Sequence, residues 1–141
     1  MIQFGATPYL KACAYYLRME VFVKEQQIPW SVEYDESLQD ETPYFVYFVA
    51  GAPVATLRYQ IKDGKLNPDR LCVLKDFRKR GIGSQLLHAM EKLGQENQLT
   101  EAFLWGEVAA QAFYLKNGYQ TAAKEVSIDT IPCYLFTKKI G

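Results

Sequence analysis

The chain has 141 residues, 49% of them hydrophobic, which fits one domain with a real core and gives no reason to expect a second. Sixteen basic residues balance sixteen acidic ones, so bulk charge gives no reason to expect a nucleic acid or an anionic membrane as partner. Three widely spaced cysteines, Cys13, Cys72 and Cys133, match neither a disulfide framework nor a zinc site and read as reduced thiols of a cytoplasmic protein.

The N-terminal stretch MIQFGATPYLKACAYYLRMEVF lacks the apolar core of a secretion signal, and no later run nears membrane-spanning length. Ile2 to Gly5 reads as a strand. Pro8 suits the first position of a helix, and Leu10, Ala14, Leu17, Val21 and Phe22 then recur at helical spacing. The next segment, KEQQIPWSVEYDESLQDETP, is rich in acids and broken by proline, which predicts a loop or short helix. Strands follow over Tyr44 to Val49 and Val54 to Ile61 with AGAP as the turn, an antiparallel hairpin. KDGK makes a second turn, and Arg70 to Leu74 reads as a largely buried strand.

From Ile82 the spacing of Ile82, Leu86, Met90 and Leu93 gives one apolar helical face, ending near Gly94 to Asn97. His88, the one histidine, points away from that face and reads as a surface residue. Ala102 to Trp105 is a strand, Val108 to Lys116 a short helix closed by Asn117-Gly118, and Tyr119 to Ile128 and Tyr134 to Ile140 are the last two strands. Together the elements predict a mixed α+β domain over residues 1–141, without repeats or linkers.

One stretch sits oddly in that pattern. FRKRGIGSQLL puts two glycines where a helix begins, although glycine in a helix costs about 1 kcal/mol relative to alanine. The first turn of a helix carries unpaired N–H groups and the positive end of the dipole, and a missing side chain lets an anion approach them. Arg78, Lys79 and Arg80 surround the same point with cations, so the stretch reads as a diphosphate site. An ordinary strand-to-helix turn with a solvated basic loop also fits the two glycines taken alone. The lysine signature of a P-loop and the longer dinucleotide fingerprint are both absent.

Arg78-x-x-Gly81-x-Gly83 after the strand RLCVL resembles the acyl-CoA motif R/Q-x-x-G-x-G/A of the GNAT superfamily of N-acetyltransferases, and AFYLKNGY, Ala112 to Tyr119, is similar to its closing helix. Arg18 to Asp40 looks like the R-x-x-V-F-V-x-E-Q pattern of the small bacterial ElaA-like and YjcF-like subgroup, so the resemblance covers nearly the whole chain. It implies a mostly antiparallel sheet of about seven strands with about four helices, splayed between its fourth and fifth strands around acyl-CoA. It further implies acetyl-CoA as donor, a primary amine of a small molecule or peptide as acceptor, no metal, and a homodimer joined through the last strands. A non-catalytic acyl-CoA sensor is the alternative.

The resemblance also distributes roles. Amides of Lys79, Arg80, Gly81, Ile82, Gly83 and Ser84 would hold the pyrophosphate beside Arg78. Backbone groups of Leu71, Cys72, Val73 and Leu74 would pair with pantetheine like an added strand, with an N–H near Val73 facing the thioester oxygen. Tyr114 is the candidate general acid, since a phenol of pKa about 10 stays protonated at neutral pH and can donate to a departing thiolate.

Glu25, Glu33, Asp35 and Glu107 are open as the base, and none is singled out. The acidic run Glu33 to Glu41 reads as a solvated loop, with attraction of a cationic amine as the other reading. Trp30 either lines an acceptor pocket or anchors its loop. Cys72 and Cys133 read as packed thiols, although Cys133 stands where the subgroup often carries a histidine, as does Tyr44. Leu104-Trp105-Gly106-Glu107 stands where an asparagine is common, so Glu25, Trp30, Glu33 and Cys133 form the tentative acceptor set.

Overall fold

The computed structural model describes residues 1–37, 39–128 and 131–141, without the side chains at 124 and 125. These residues gather into two compact units, Met1–Tyr59 with Arg70–Leu87, and Gln60–Asp69 with His88–Gly141.

In the first unit, β1 (Ile2–Gly5) leads into α1 (Pro8–Arg18). Thr7 caps that helix, its Oγ1 accepting from the Leu10 amide at 3.3 Å, and Pro8 fills the first turn where no N–H is needed. The helix continues as a π-helical segment, Met19–Glu25, in which the Gln26 amide reaches back to the Val21 carbonyl at 3.0 Å. A short helix α2 (Trp30–Glu33) precedes the hairpin of β2 (Tyr44–Val49) and β3 (Ala52–Arg58). Ala50 and Gly51 both take positive φ in its turn, as a right-twisted two-residue hairpin requires. Leu10, Cys13, Ala14, Leu17 and Val21 lay one helical face against Tyr44, Val46 and Phe48 of β2 and form the core of this unit. Phe45 points to the other face and meets Phe4 and Tyr59, so β2 is covered on both sides and carries no polar alternation.

After the small hairpin β4 (Ile61–Lys62) and β5 (Lys65–Leu66), the chain returns to the first sheet as β6 (Asp69–Val73), giving the order β1-β2-β3-β6. The expectation that this strand is largely buried needs correction. Only Cys72 within β6 is buried, because β6 ends the sheet order and has a ladder on one side.

The helix α3 (Ile82–Glu96) passes from the first unit into the second. The second unit holds β7 (Glu101–Glu107), α4 (Gln111–Lys116), β8 (Gln120–Ile128) and β9 (Ile131–Lys139), with sheet order β4-β5-β7-β9-β8. Gly94 lies inside α3 and does not end it; a Cβ there would come within 2.8 Å of Leu66, so the glycine permits close approach of helix to strand. Lys138 reaches the Asn117 carbonyl at the end of α4 at 2.9 Å and Glu91 of α3 at 2.8 Å, while the Tyr119 hydroxyl donates to the same carboxylate. Those contacts, buried at Tyr119 and Glu91 and partly exposed at Lys138, tie α3, α4 and β9 together. Among the described residues no helix is long and apolar enough to cross a membrane.

Candidate active site

The basic loop begins where β6 ends. A 3-10 turn over Lys75–Phe77 delivers Arg78 in extended conformation, Lys79 follows at φ +64° and Gly81 at φ +80°, and α3 then starts. The Gly81 carbonyl accepts the first helical bond, from the Gln85 amide, so the amides of Ile82, Gly83 and Ser84 have no acceptor within the helix. A Cβ on Gly81 would meet nothing within 4 Å; what requires glycine is the left-handed φ. Arg80 stacks over Phe77 at 5.0 Å.

Arg78 is held from two sides. Its Nε donates to the Val73 carbonyl at 2.8 Å, and its two terminal nitrogens grip the Glu25 carboxylate at 2.9 and 2.6 Å. The guanidinium holds the Glu25 carboxyl below its ordinary range, which makes Glu25 a poorer proton acceptor than a free carboxylate. In β6, Cys72 is buried and its thiol is pushed up to about 12, as befits a packed thiol and not a nucleophile.

Glu33 is spent differently from the expected solvated run. It is 2% exposed, accepts from Arg18 Nε at 2.7 Å and faces Arg70 at 3.0 Å. Glu36 bridges Arg18 and Arg58, Asp35 pairs with Arg58 and Arg70, and the Tyr44 hydroxyl accepts from Arg18 at 2.5 Å. The acidic run is therefore half buried, and the reading of a solvated loop fails at Glu33 and Glu36 because three arginines neutralise them inside the fold. Burial raises the Glu33 carboxyl, with Arg18 and Arg70 pulling the other way. Arg70 takes φ +54° within β6, a costly backbone state that turns its side chain onto this cluster. Trp30 is 66% exposed, so it neither anchors its loop nor packs in a core. His88 is exposed, as its helical position predicts.

In the second unit three candidates come together. Tyr114 of α4 is 8% exposed, its ring 4.8 Å from Phe136, and Gly106 of β7 passes so close that a Cβ would lie 2.5 Å from the tyrosine ring. Glu107 and Cys133 are direct partners across β7 and β9. Burial raises the Tyr114 phenol above its ordinary range, and Glu107 and Cys133 add to the rise. Cys133 is 6% exposed and its thiol donates to the Ile131 carbonyl.

Sequence reasoning missed Arg18, Arg58, Arg70 and Glu36. Arg18 follows Ala14 by four residues, on the buried face of α1, and a cation on an apolar face is a signal that could have found its buried counter-charge.

In the first unit a strand leads through an arginine and a left-handed glycine into a bare helix start, and in the second a short helix carries a buried tyrosine; each is a feature of an acyltransferase domain. The family model described as the acetyltransferase (GNAT) domain matches residues 40–121, and the chain belongs to that family. The N-acetyltransferase YjcF of Bacillus subtilis (strain 168) is 36% identical over 116 residues, 82% of each chain. A crystal structure described as an N-acetyltransferase from Lactobacillus plantarum superposes with a TM-score of 0.93 at 35% identity, covering 100% of this chain and 98% of that one. Escherichia coli ElaA shares the fold at a TM-score of 0.85 and 19% identity, covering 98% and 99%. Within the family the chain stands with YjcF, and it shares its fold with ElaA.

Proposed function

We propose that this chain is a single-domain, cytoplasmic N-acetyltransferase that moves an acetyl group from acetyl-CoA to a primary amine of a small molecule or peptide. The observation that carries the reading is the loop backbone: a left-handed Gly81 opens α3 with the amides of Ile82, Gly83 and Ser84 free of helical acceptors, directly after Arg78. Those amides, with Lys79 and Arg80, bind the diphosphate. The edge of β6 over Leu71 to Leu74 pairs with pantetheine by strand addition, which its terminal place in the sheet order favours.

The acceptor amine attacks the thioester carbonyl carbon, forming the C–N bond, and the oxyanion is stabilised by an N–H near Val73. Collapse of the intermediate breaks the C–S bond, the thiolate takes the phenolic proton of Tyr114, the acylated nitrogen sheds its extra proton to water, and water returns a proton to the Tyr114 phenolate. A buried phenol remains protonated across the neutral range, the state a proton donor needs. No acyl-enzyme is needed, which agrees with the packed state of Cys72 and Cys133. Glu25 is committed to Arg78 and Glu33 to arginines, so neither is assigned as base.

The test is release of CoA thiol from acetyl-CoA over a panel of primary amines. At least one amine should accelerate release in wild type and fail to do so at the same rate in Tyr114→Phe. CoA binding without turnover across the panel would favour a sensor instead.

A further inference from the structure

The arginine that opens the diphosphate motif already has an anionic partner. Arg78 is gripped end-on by Glu25, with Nη1 to Oε2 at 2.9 Å and Nη2 to Oε1 at 2.6 Å, while its Nε is committed to the Val73 carbonyl. Both members of the pair are more than a third exposed, so the contact is accessible to a competing anion. Glu25 is the last residue of the π-helical segment Met19–Glu25, a rare geometry that is frequent at functional sites.

We propose that Glu25 is a resident counter-ion that competes with the cofactor's diphosphate for Arg78, and that binding exchanges one anion for the other. The proposal rests on the assignment of the loop as the diphosphate site. A guanidinium fork suits carboxylate and phosphate alike, and a diphosphate brings more negative charge and more acceptor oxygens than one carboxylate. The two anions repel each other across a shared cation, so the carboxylate yields. Glu25 has somewhere to go, because it lines a cavity of about 400 Å³ with Lys75 and Asp76, and with Lys24, which Glu20 already holds at 2.9 Å. The exchange makes Glu25 a specificity determinant: an anion that binds by charge alone must displace it, whereas CoA has pantetheine and adenine contacts to offset that cost.

The experiment is calorimetric titration with CoA of wild type, Glu25→Gln, Arg78→Ala, the double variant, and Glu20→Gln. Glu20 lines the same cavity, so its variant removes an equal charge. Glu25→Gln should bind CoA about fivefold more tightly, the scale of an exposed ion pair, while Glu20→Gln stays near wild type. In the Arg78→Ala background the Glu25 substitution should change nothing. Unchanged or weaker CoA binding by Glu25→Gln would overturn the competition, weaker binding assigning Glu25 to the orientation of Arg78 instead. An equal gain from Glu20→Gln would reduce the effect to bulk charge and also overturn it. A wild type that binds no CoA would remove the diphosphate assignment and this inference with it.

Discussion

Two glycines set the residue-scale chemistry, for different reasons. Gly106 makes room for the Tyr114 ring, whose nearest atom lies 2.5 Å from where a Cβ would be. Gly106→Ala should therefore cost about 1–3 kcal/mol by forcing the ring or strand aside, and slow turnover along with it. An unchanged urea midpoint would show that the ring moves freely. Tyr114→Phe should keep CoA affinity while lowering the rate about 10²-fold, the lower range of a general acid. A variant as fast as wild type would remove Tyr114 from the mechanism. Gly81 is needed for its φ of +80° and has open space beyond it, so Gly81→Glu should fold, at a cost of about 1–3 kcal/mol, and lose CoA binding. Retained affinity would place the diphosphate elsewhere.

Among elements, α1 is fastened to α2, β2, β3 and β6 by charge as well as by its apolar face. Arg18 is fully buried against Glu33, Glu36 and Tyr44, so Arg18→Ala leaves two carboxylates without their main partner and should destabilise the fold by about 3–5 kcal/mol. Urea unfolding measures this; a loss below about 1 kcal/mol would mean that Arg58 and Arg70 suffice. The same network marks the limit of what the sequence discloses. Helix starts at Pro8 and Ile82 and the hairpin turns at Ala50-Gly51 and KDGK were legible because each depends on residues close along the chain, whereas the two-residue strands β4 and β5 were not. The loop FRKRGIG was legible for the same reason. The arginine cluster joins positions as distant as Arg18 and Arg70, and its burial follows from the sheet that assembles them. The π-helical turn after Arg18 has no local sequence sign, and β6 reads as buried until the sheet order makes it an edge.

At the scale of the whole molecule, the buried proton donors set the response to alkali. The Cys72 thiol rises from its ordinary value near 9 to about 12, and burial likewise raises Tyr44, Tyr114 and Tyr119. Each group holds its proton more tightly folded than unfolded, so the stability it contributes is complete below its unfolded pKa and declines as pH rises toward the folded value. The urea midpoint should fall between pH 8 and pH 11, and a constant or rising midpoint would contradict the burial of these groups. Function at this scale turns on one ligand. Calorimetric titration of the purified chain with acetyl-CoA, with CoA as comparator, tests it most directly. Saturable micromolar binding is the result expected of an acetyltransferase with its diphosphate loop at Arg78 to Ser84, whereas absence of binding by demonstrably folded protein would contradict that account.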